Sequence, residues 1–123
     1  MNSAPKKNTR LKGKKYEKLA EQFLIEKGFE ILERNWQAGH QEIDLIGRDK
    51  NTIVFVEVKG SRTNQFGHPA EKVDSQKRRN LIKAAEKYII DKNFSGYDFR
   101  FDLVTFLGEK LEYYCDAFWD GYS

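Results

Sequence analysis

The segment Thr52-Ile-Val-Phe-Val-Glu-Val-Lys59 constrains the fold more tightly than any other part of this chain. Its aliphatic and aromatic residues, mostly β-branched, read as a strand buried on both faces of a sheet. Glu57 and Lys59 interrupt that run. Side chains two apart on a strand share a face, so the carboxylate and the ammonium lie together while Val56 and Val58 face the other way. Isolated charge in such a place is costly, and the pair calls for a reason.

A second run, Gln41-Glu-Ile-Asp-Leu-Ile-Gly47, alternates acidic and aliphatic residues around Asp44. Between the two lies Arg48-Asp-Lys-Asn51, a polar tetrad of the kind that joins antiparallel strands. The hairpin this predicts lets Asp44 and Glu57 meet across two neighbouring strands.

At 123 residues the chain is long enough for one domain with a real core and too short for two. Its 33% charged and 14% aromatic residues fit a globular chain better than a disordered one. No apolar stretch approaches the ~20 residues of a membrane span and no secretory h-region follows the N-terminus, so the expectation is a cytoplasmic protein with no membrane partner. The single cysteine, Cys115, forms no internal disulfide and reads as a small apolar filler.

The net charge of +3 is unevenly spread. Lys6, Lys7, Arg10, Lys12, Lys14 and Lys15 precede any acid, and Lys72, Lys77, Arg78, Arg79, Lys83 and Lys87 crowd a later helix. Taken singly each cluster is matched by a solvated tail or helix face. Together with the carboxylates they favour a polyanion, nucleic acid above all.

Residues 1–12 read as a basic flexible arm and 13–123 as one domain. Tyr16, Leu19, Ala20, Phe23 and Leu24 recur at helical spacing over 13–27, with Gly28 as a C-terminal stop. Phe29 to Asn35 alternates as a strand, and the two acidic strands complete a meander. The stretch from Gly60 to about Ser75 has no clear periodicity and reads as a functional or mobile loop. Asp74 or Ser75 caps a second helix with Leu81, Ile82, Ala85, Tyr88 and Ile89 on its buried stripe. Phe99–Leu107 is a strand, Gly108–Lys110 a turn and Leu111–Cys115 a partner strand. The expected order is αβββαββ.

Two acids and a lysine at a sheet edge suit a hard divalent cation and an attacking water. Magnesium commonly takes one or two carboxylates, with water and substrate phosphate completing its octahedron; Asp44 and Glu57 can supply the pair. Lys59 would orient the water or stabilise charge on the phosphate. With eleven Glu and fifteen Lys, roughly one Glu-x-Lys arises by chance. The apolar strand around this one, the hairpin-spaced Asp44 and the basic helix give it weight.

The arrangement resembles the PD-(D/E)xK, restriction-endonuclease-like nucleases, with an acid on one strand and Glu-x-Lys on the next. More closely, Glu17-x-x-Ala20, Arg34-Asn-Trp36, Glu42-Ile-Asp-Leu-Ile46, Phe55-Val-Glu-Val-Lys59, Phe66-Gly67, Lys77 with Ala84-Ala85, and Arg100-Phe-Asp102 resemble the bacterial UPF0102, or YraN, family, over about residues 13–107. The resemblance implies an α/β fold with an αβββαβ core, its mixed central sheet flanked by helices. It also implies an Mg2+- or Mn2+-dependent endonuclease similar to Holliday-junction resolvases, acting on branched or junction DNA. Asp44, Glu57, the Val58 carbonyl and Glu17 would bind the metal. Catalysis would fall to Asp44, Glu57, Lys59 and Glu17, and Arg62, Lys77, Arg78, Lys14 and Lys15 would contact nucleic acid.

Two positions depart from the family pattern: Gln41 stands where glycine is usual, and Gly60 replaces the common threonine after the lysine. Each residue also has a plainer reading. Glu17 can be a solvated helix glutamate, Glu42 is read as a supporting residue, Asp44 can close a turn, and Glu57 with Lys59 can be a buried structural ion pair. His40 and His68 read as loop histidines. The alternative function is a non-catalytic nucleic-acid-binding module on the same fold. Glycoside cleavage by paired carboxylates leaves Lys59 and the basic helix unused. A homodimer is compatible with this reading, the aromatic tail Phe118-Trp-Asp-Gly-Tyr122 packing on a partner or on its own sheet.

Overall fold

The structure is a computed structural model that describes residues 3–65 and 67–117, with side chains from residue 13 onward. The aromatic tail at 118–122, Phe66 and the side chains of the basic residues in the first twelve lie outside the described residues. The elements in chain order are α1 (Ser3–Glu26), β1 (Glu30–Ala38), β2 (Gln41–Asp49), β3 (Thr52–Ser61), a 3-10 turn (Pro69–Lys72), α2 (Ser75–Lys92), β4 (Asp98–Leu107) and β5 (Lys110–Tyr114). The expected αβββαββ order is present, and the five strands form one mixed sheet in the order β1-β2-β3-β4-β5. β3 and β4 run parallel across the α2 crossover; the other neighbours are antiparallel.

One helix covers each face of the sheet. On the α1 side, Ala20 and Leu24, one turn apart, pack with Phe29, Leu45, Val54, Val56, Val104 and Phe106. Gly28, with φ of 98°, ends the helix. Its N–H donates to the Ile25 carbonyl and that of Phe29 to the Leu24 carbonyl, the paired bonds of a Schellman stop. The helical backbone reaches back to Ser3, into the stretch expected as a basic arm. On the α2 side, Leu81, Ile82, Ala84, Ala85 and Tyr88 cover Ile43, Ile46, Ile53, Phe55 and Phe101. Asp74 is the N-cap, its side chain accepting from Lys77 N–H at 2.9 Å.

Along β3 the alternation is regular: Ile53 and Phe55 face α2, Val54 and Val56 face α1. Glu57 and Lys59 therefore follow Phe55 onto the α2 face. The β2–β3 turn is tighter than the predicted tetrad. Arg48 and Asp49 continue β2, and only Lys50 and Asn51 form the turn, Lys50 with φ of 57°. Cys115 is exposed in the turn after β5, which corrects its reading as an apolar filler: the sheet ends at Tyr114, one residue before it.

β4 and β5 are pinned by a polar cluster. Arg100 makes two hydrogen bonds to the fully buried Asp102, at 2.9 and 3.0 Å, Tyr113 donates its hydroxyl to the same carboxylate, and the Asp116 N–H adds a bond at 2.8 Å. The motif Arg100-Phe-Asp102 thus fastens the strand beside β3.

The α1 register is set by Tyr16, whose ring stacks on Phe106 with centroids 4.7 Å apart and whose hydroxyl donates to the Gly108 carbonyl at 3.3 Å. The ring lies where a side chain following Lys59 would stand: a Cβ on Gly60 would collide with Tyr16 Cδ2 and Cε2. Gly60→Thr is expected to lower the unfolding free energy by about 1–3 kcal/mol through overpacking, measured by urea denaturation. In a Tyr16→Ala background the same change should be close to neutral. Equal losses in both backgrounds would show that the ring is not what excludes the side chain.

Candidate active site

The site forms where β2 and β3 part. Their ladder runs from Asp49–Thr52 to Leu45–Val56 and stops there, although β2 continues along β1 to Gln41 and β3 along β4 to Ser61. Beyond the last pair, the Val58 N–H finds its acceptor in a side chain: Asp44 Oδ2, at 2.8 Å. The bond fixes Asp44 in the opening between the strands. Val58, expected to offer a carbonyl, meets Asp44 through its N–H.

Asn35 makes the corresponding break in β1. Its φ of 49° is left-handed, a conformation that asparagine tolerates. The usual alternation fails there. Arg34 turns toward α1 and pairs with Glu21, which holds that carboxyl below its ordinary range, while Trp36 turns toward α2 and meets Tyr88 edge-to-face at 5.1 Å. Their partners on β2 switch faces in step: Leu45, opposite Arg34, packs under α1, and Ile43, opposite Trp36, packs under α2. Asn35 itself donates to Glu17 at 3.1 Å and to Glu42 at 2.7 Å, and Gln37 donates to Glu42 at 2.9 Å.

Two acidic groups result, with Asp44 common to both. Ligand atoms of Glu17, Glu42 and Asp44 lie within 4.8 Å of one another. On the other side stands Glu57, only 4% exposed, its charge raising the proton affinity of Asp44. Glu57 is thus beside Asp44 and not one of the trio. Both Lys59 and Lys77 reach Glu57 Oε2, each at 3.4 Å, whereas Glu57 Oε1 is buried with no hydrogen-bond partner among the described residues. Burial first, and then the Glu57 charge, push the Asp44 carboxyl up to about 8; the Val58 N–H opposes the shift and Glu17 adds to it.

The donors are all carboxylate oxygens, which suit a hard cation such as Mg2+ or Mn2+. The orphaned Glu57 oxygen and the raised Asp44 are what such an ion would relieve. The residues present therefore fit the group: Asp44 with Glu57 on one side, or with Glu17 and Glu42 on the other.

The predicted nucleic-acid contacts divide. Lys14 lines clefts of about 500 and 440 Å3 that open beside Glu17 and Asn35. Lys15 and Arg62 line a separate cavity of about 720 Å3 with Tyr16, Leu19 and Phe106. Lys77 joins the acids themselves, and Arg78 turns to the Ser75 hydroxyl at 3.2 Å. His68 is a loop residue, as expected. Its Nδ1 accepts from Ala70 N–H, and its Nε2 meets Glu112 at 2.7 Å, tying the 3-10 turn to β5.

Residues 16–106 match the profile of a family described as uncharacterised protein family UPF0102. The chain belongs to the UPF0102 family. A UPF0102 protein of Fusobacterium nucleatum is 38% identical over 112 residues, covering 91% of this chain and 94% of its own. Others from Chloroherpeton thalassium and Caldanaerobacter subterraneus are each 46% identical, over 95 and 99 residues. These alignments cover 77% and 80% of this chain, and 74% and 81% of theirs. The UPF0102 match spans every residue of the acidic groups as well as Asn35, Lys59 and Lys77.

Two participants escaped the sequence reading. Asn35 bridges two acids through a left-handed kink that periodicity does not encode, and Glu42, read as a supporting residue, is one of the trio; Asn at the centre of Arg34-Asn-Trp36 was the available signal.

A carboxyl whose folded pKa lies above its unfolded value stabilises the fold fully below the unfolded value, and that contribution is lost as pH rises through the folded one. For Asp44 the window runs from the ordinary 3.8 up to about 8. The metal-free chain should therefore lose melting temperature across that window. Asp44→Asn, uncharged throughout and still able to accept from Val58, should flatten the fall. A slope unchanged by the substitution would show that Asp44 does not hold its proton.

Proposed function

We propose that this chain is a metal-dependent endonuclease that hydrolyses phosphodiester bonds in DNA, with branched or junction DNA as its substrate. The observation that carries the reading is the junction of Asp44 and Glu57 at the parting of two strands, with the Lys59 ammonium 3.4 Å from Glu57. A structural ion pair would explain Glu57 and Lys59 alone. It does not account for Glu17, Glu42 and Asp44 gathered next to them, nor for the buried Glu57 Oε1, which has no hydrogen-bond partner among the described residues.

In this reading Asp44 and Glu57 hold the cation, with Glu17 and Glu42 adding negative charge on the α1 side. When bound, Mg2+ or Mn2+ would offset negative charge on the phosphate oxygens and make a water easier to deprotonate for attack. The reaction forms a bond from the water oxygen to phosphorus and breaks one P–O ester bond, the leaving oxygen departing with a proton. Lys59, half-buried and fixed by Glu57, can align the water or face the charge that builds on the phosphate. Lys14 at the mouth of the neighbouring clefts, and Lys15 with Arg62 across α1, offer cations to the backbone on both sides of the helix.

Labelled four-way junction, flap, duplex and single-stranded DNA incubated with the pure chain in Mg2+ or Mn2+ should show cleavage of the branched forms. Glu57→Ala, Asp44→Ala and Lys59→Met should each slow it by about 100-fold or more. Cutting by Glu57→Ala at the rate of the unaltered chain would assign the activity elsewhere. Salt-sensitive binding with no cutting, indifferent to chelator, would support the non-catalytic binding module.

A further inference from the structure

We infer that Lys59 and Lys77 form a two-ammonium site for one phosphate group of a nucleic acid, occupied by Glu57 until a divalent cation takes over that carboxylate. The inference rests on the metal-binding reading of Asp44 and Glu57 and extends it to Lys77, which the sequence placed only among general backbone contacts.

The geometry is specific. Both Nζ atoms stand 3.4 Å from the same oxygen, Glu57 Oε2. The two ammonium groups therefore share one anionic acceptor and are no more than twice that distance apart. A phosphate oxygen entering between them would find the same two donors that the carboxylate finds now. The lysines come from different elements, Lys59 from β3 and Lys77 from the first turn of α2, where its own N–H is tied to the Asp74 cap at 2.9 Å. Neither depends on the other for its position.

Charge and exposure point the same way. One ammonium suffices for one buried carboxylate; the second is offset by the neighbouring acids Asp44, Glu17 and Glu42, and a divalent cation on those acids would leave it facing an incoming anion. Glu57 is 4% exposed, but the Lys59 and Lys77 side chains are 30% and 31% exposed, so the cations are open to solvent while the anion is not. The carboxylate also keeps Oε1 buried with no hydrogen-bond partner among the described residues, a lone pair that a cation could use.

A cation drawn to Glu57 and Asp44 competes with the lysines for Glu57 and frees them for phosphate. Metal and nucleic acid should accordingly bind with positive coupling, and by linkage each tightens the other by the same factor. Lys77 is a phosphate-binding residue in this scheme, and it acts only when the metal is present.

The test is fluorescence anisotropy of a labelled four-way DNA junction on the full chain at fixed ionic strength, in Ca2+ and in chelator. In the unaltered chain Ca2+ should tighten binding by about tenfold. In Lys77→Met the increment should fall to about twofold or less. The slope of log affinity against log salt in Ca2+ should also shrink by about one. Lys77→Arg should restore both, and Lys77→Gln replaces the Met variant should that chain fail to give a normal melt. An undiminished increment and slope in the folded Met or Gln variant would overturn the proposal and leave Lys77 a structural partner of Glu57. The absence of any Ca2+ increment in the unaltered chain would overturn it as well. Cleavage in Mn2+, run in parallel, separates the two readings. Cutting with an increment untouched by Lys77→Met removes the lysine pair alone; a Lys77-dependent increment without cutting removes the nuclease alone.

Discussion

The site exists because β2 and β3 stop pairing after Leu45 and Val56. A backbone N–H at that point cannot be left without an acceptor at acceptable cost, and Asp44 provides one to Val58. The same bond draws a carboxylate into the opening, beside Glu57. The kink at Asn35 on the neighbouring strand keeps β1 in register with the departing β2, and its side chain gathers Glu17 and Glu42 onto the α1 side. Backbone hydrogen bonding at one break in a ladder thus brings together side chains from three strands and a helix.

The consequence of this gathering is electrostatic. Carboxylates packed this closely cannot all carry charge in a partly dry site. The structure relieves the crowding in two ways: Asp44 retains its proton toward neutral pH, and Lys59 and Lys77 lean on Glu57. In the proposed reading both are solutions that a divalent cation would replace, which distinguishes the arrangement from a stabilising network. The Arg100–Asp102–Tyr113 cluster offers the contrast. There the fully buried carboxylate accepts from a guanidinium, a hydroxyl and a backbone N–H, and neither of its oxygens is orphaned.

Much of this was legible in the chain. The stripe of Leu81, Ile82, Ala85 and Tyr88 on α2, the hairpin of acidic strands and the shared face of Glu57 and Lys59 follow from periods of 3.6 and 2, and local patterning survives folding in those elements. The αβββαβ series and the UPF0102 family were also legible, from ordered motifs. Less visible were features that depend on a break in period or on contacts distant in sequence. The left-handed Asn35 turns Arg34 and Trp36 to opposite faces, contrary to simple alternation. The 3-10 turn at Pro69–Lys72 is too short to leave a periodic trace. Lys77 meets Glu57 only because α2 crosses the sheet there, and Cys115 is exposed because β5 ends one residue earlier than its composition suggests.

Whether the oxygens around Asp44 cage a divalent cation is best decided by anomalous diffraction from crystals soaked in Mn2+. An anomalous peak is expected within about 2.0–2.6 Å of Asp44, the range of carboxylate–cation bonds, with Glu57 or the Glu17–Glu42 pair completing its protein ligands and Lys59 and Lys77 drawn away from Glu57. Crystals equally loaded with Mn2+ that show no peak at Asp44, with both lysines still on Glu57, would refute the metal site.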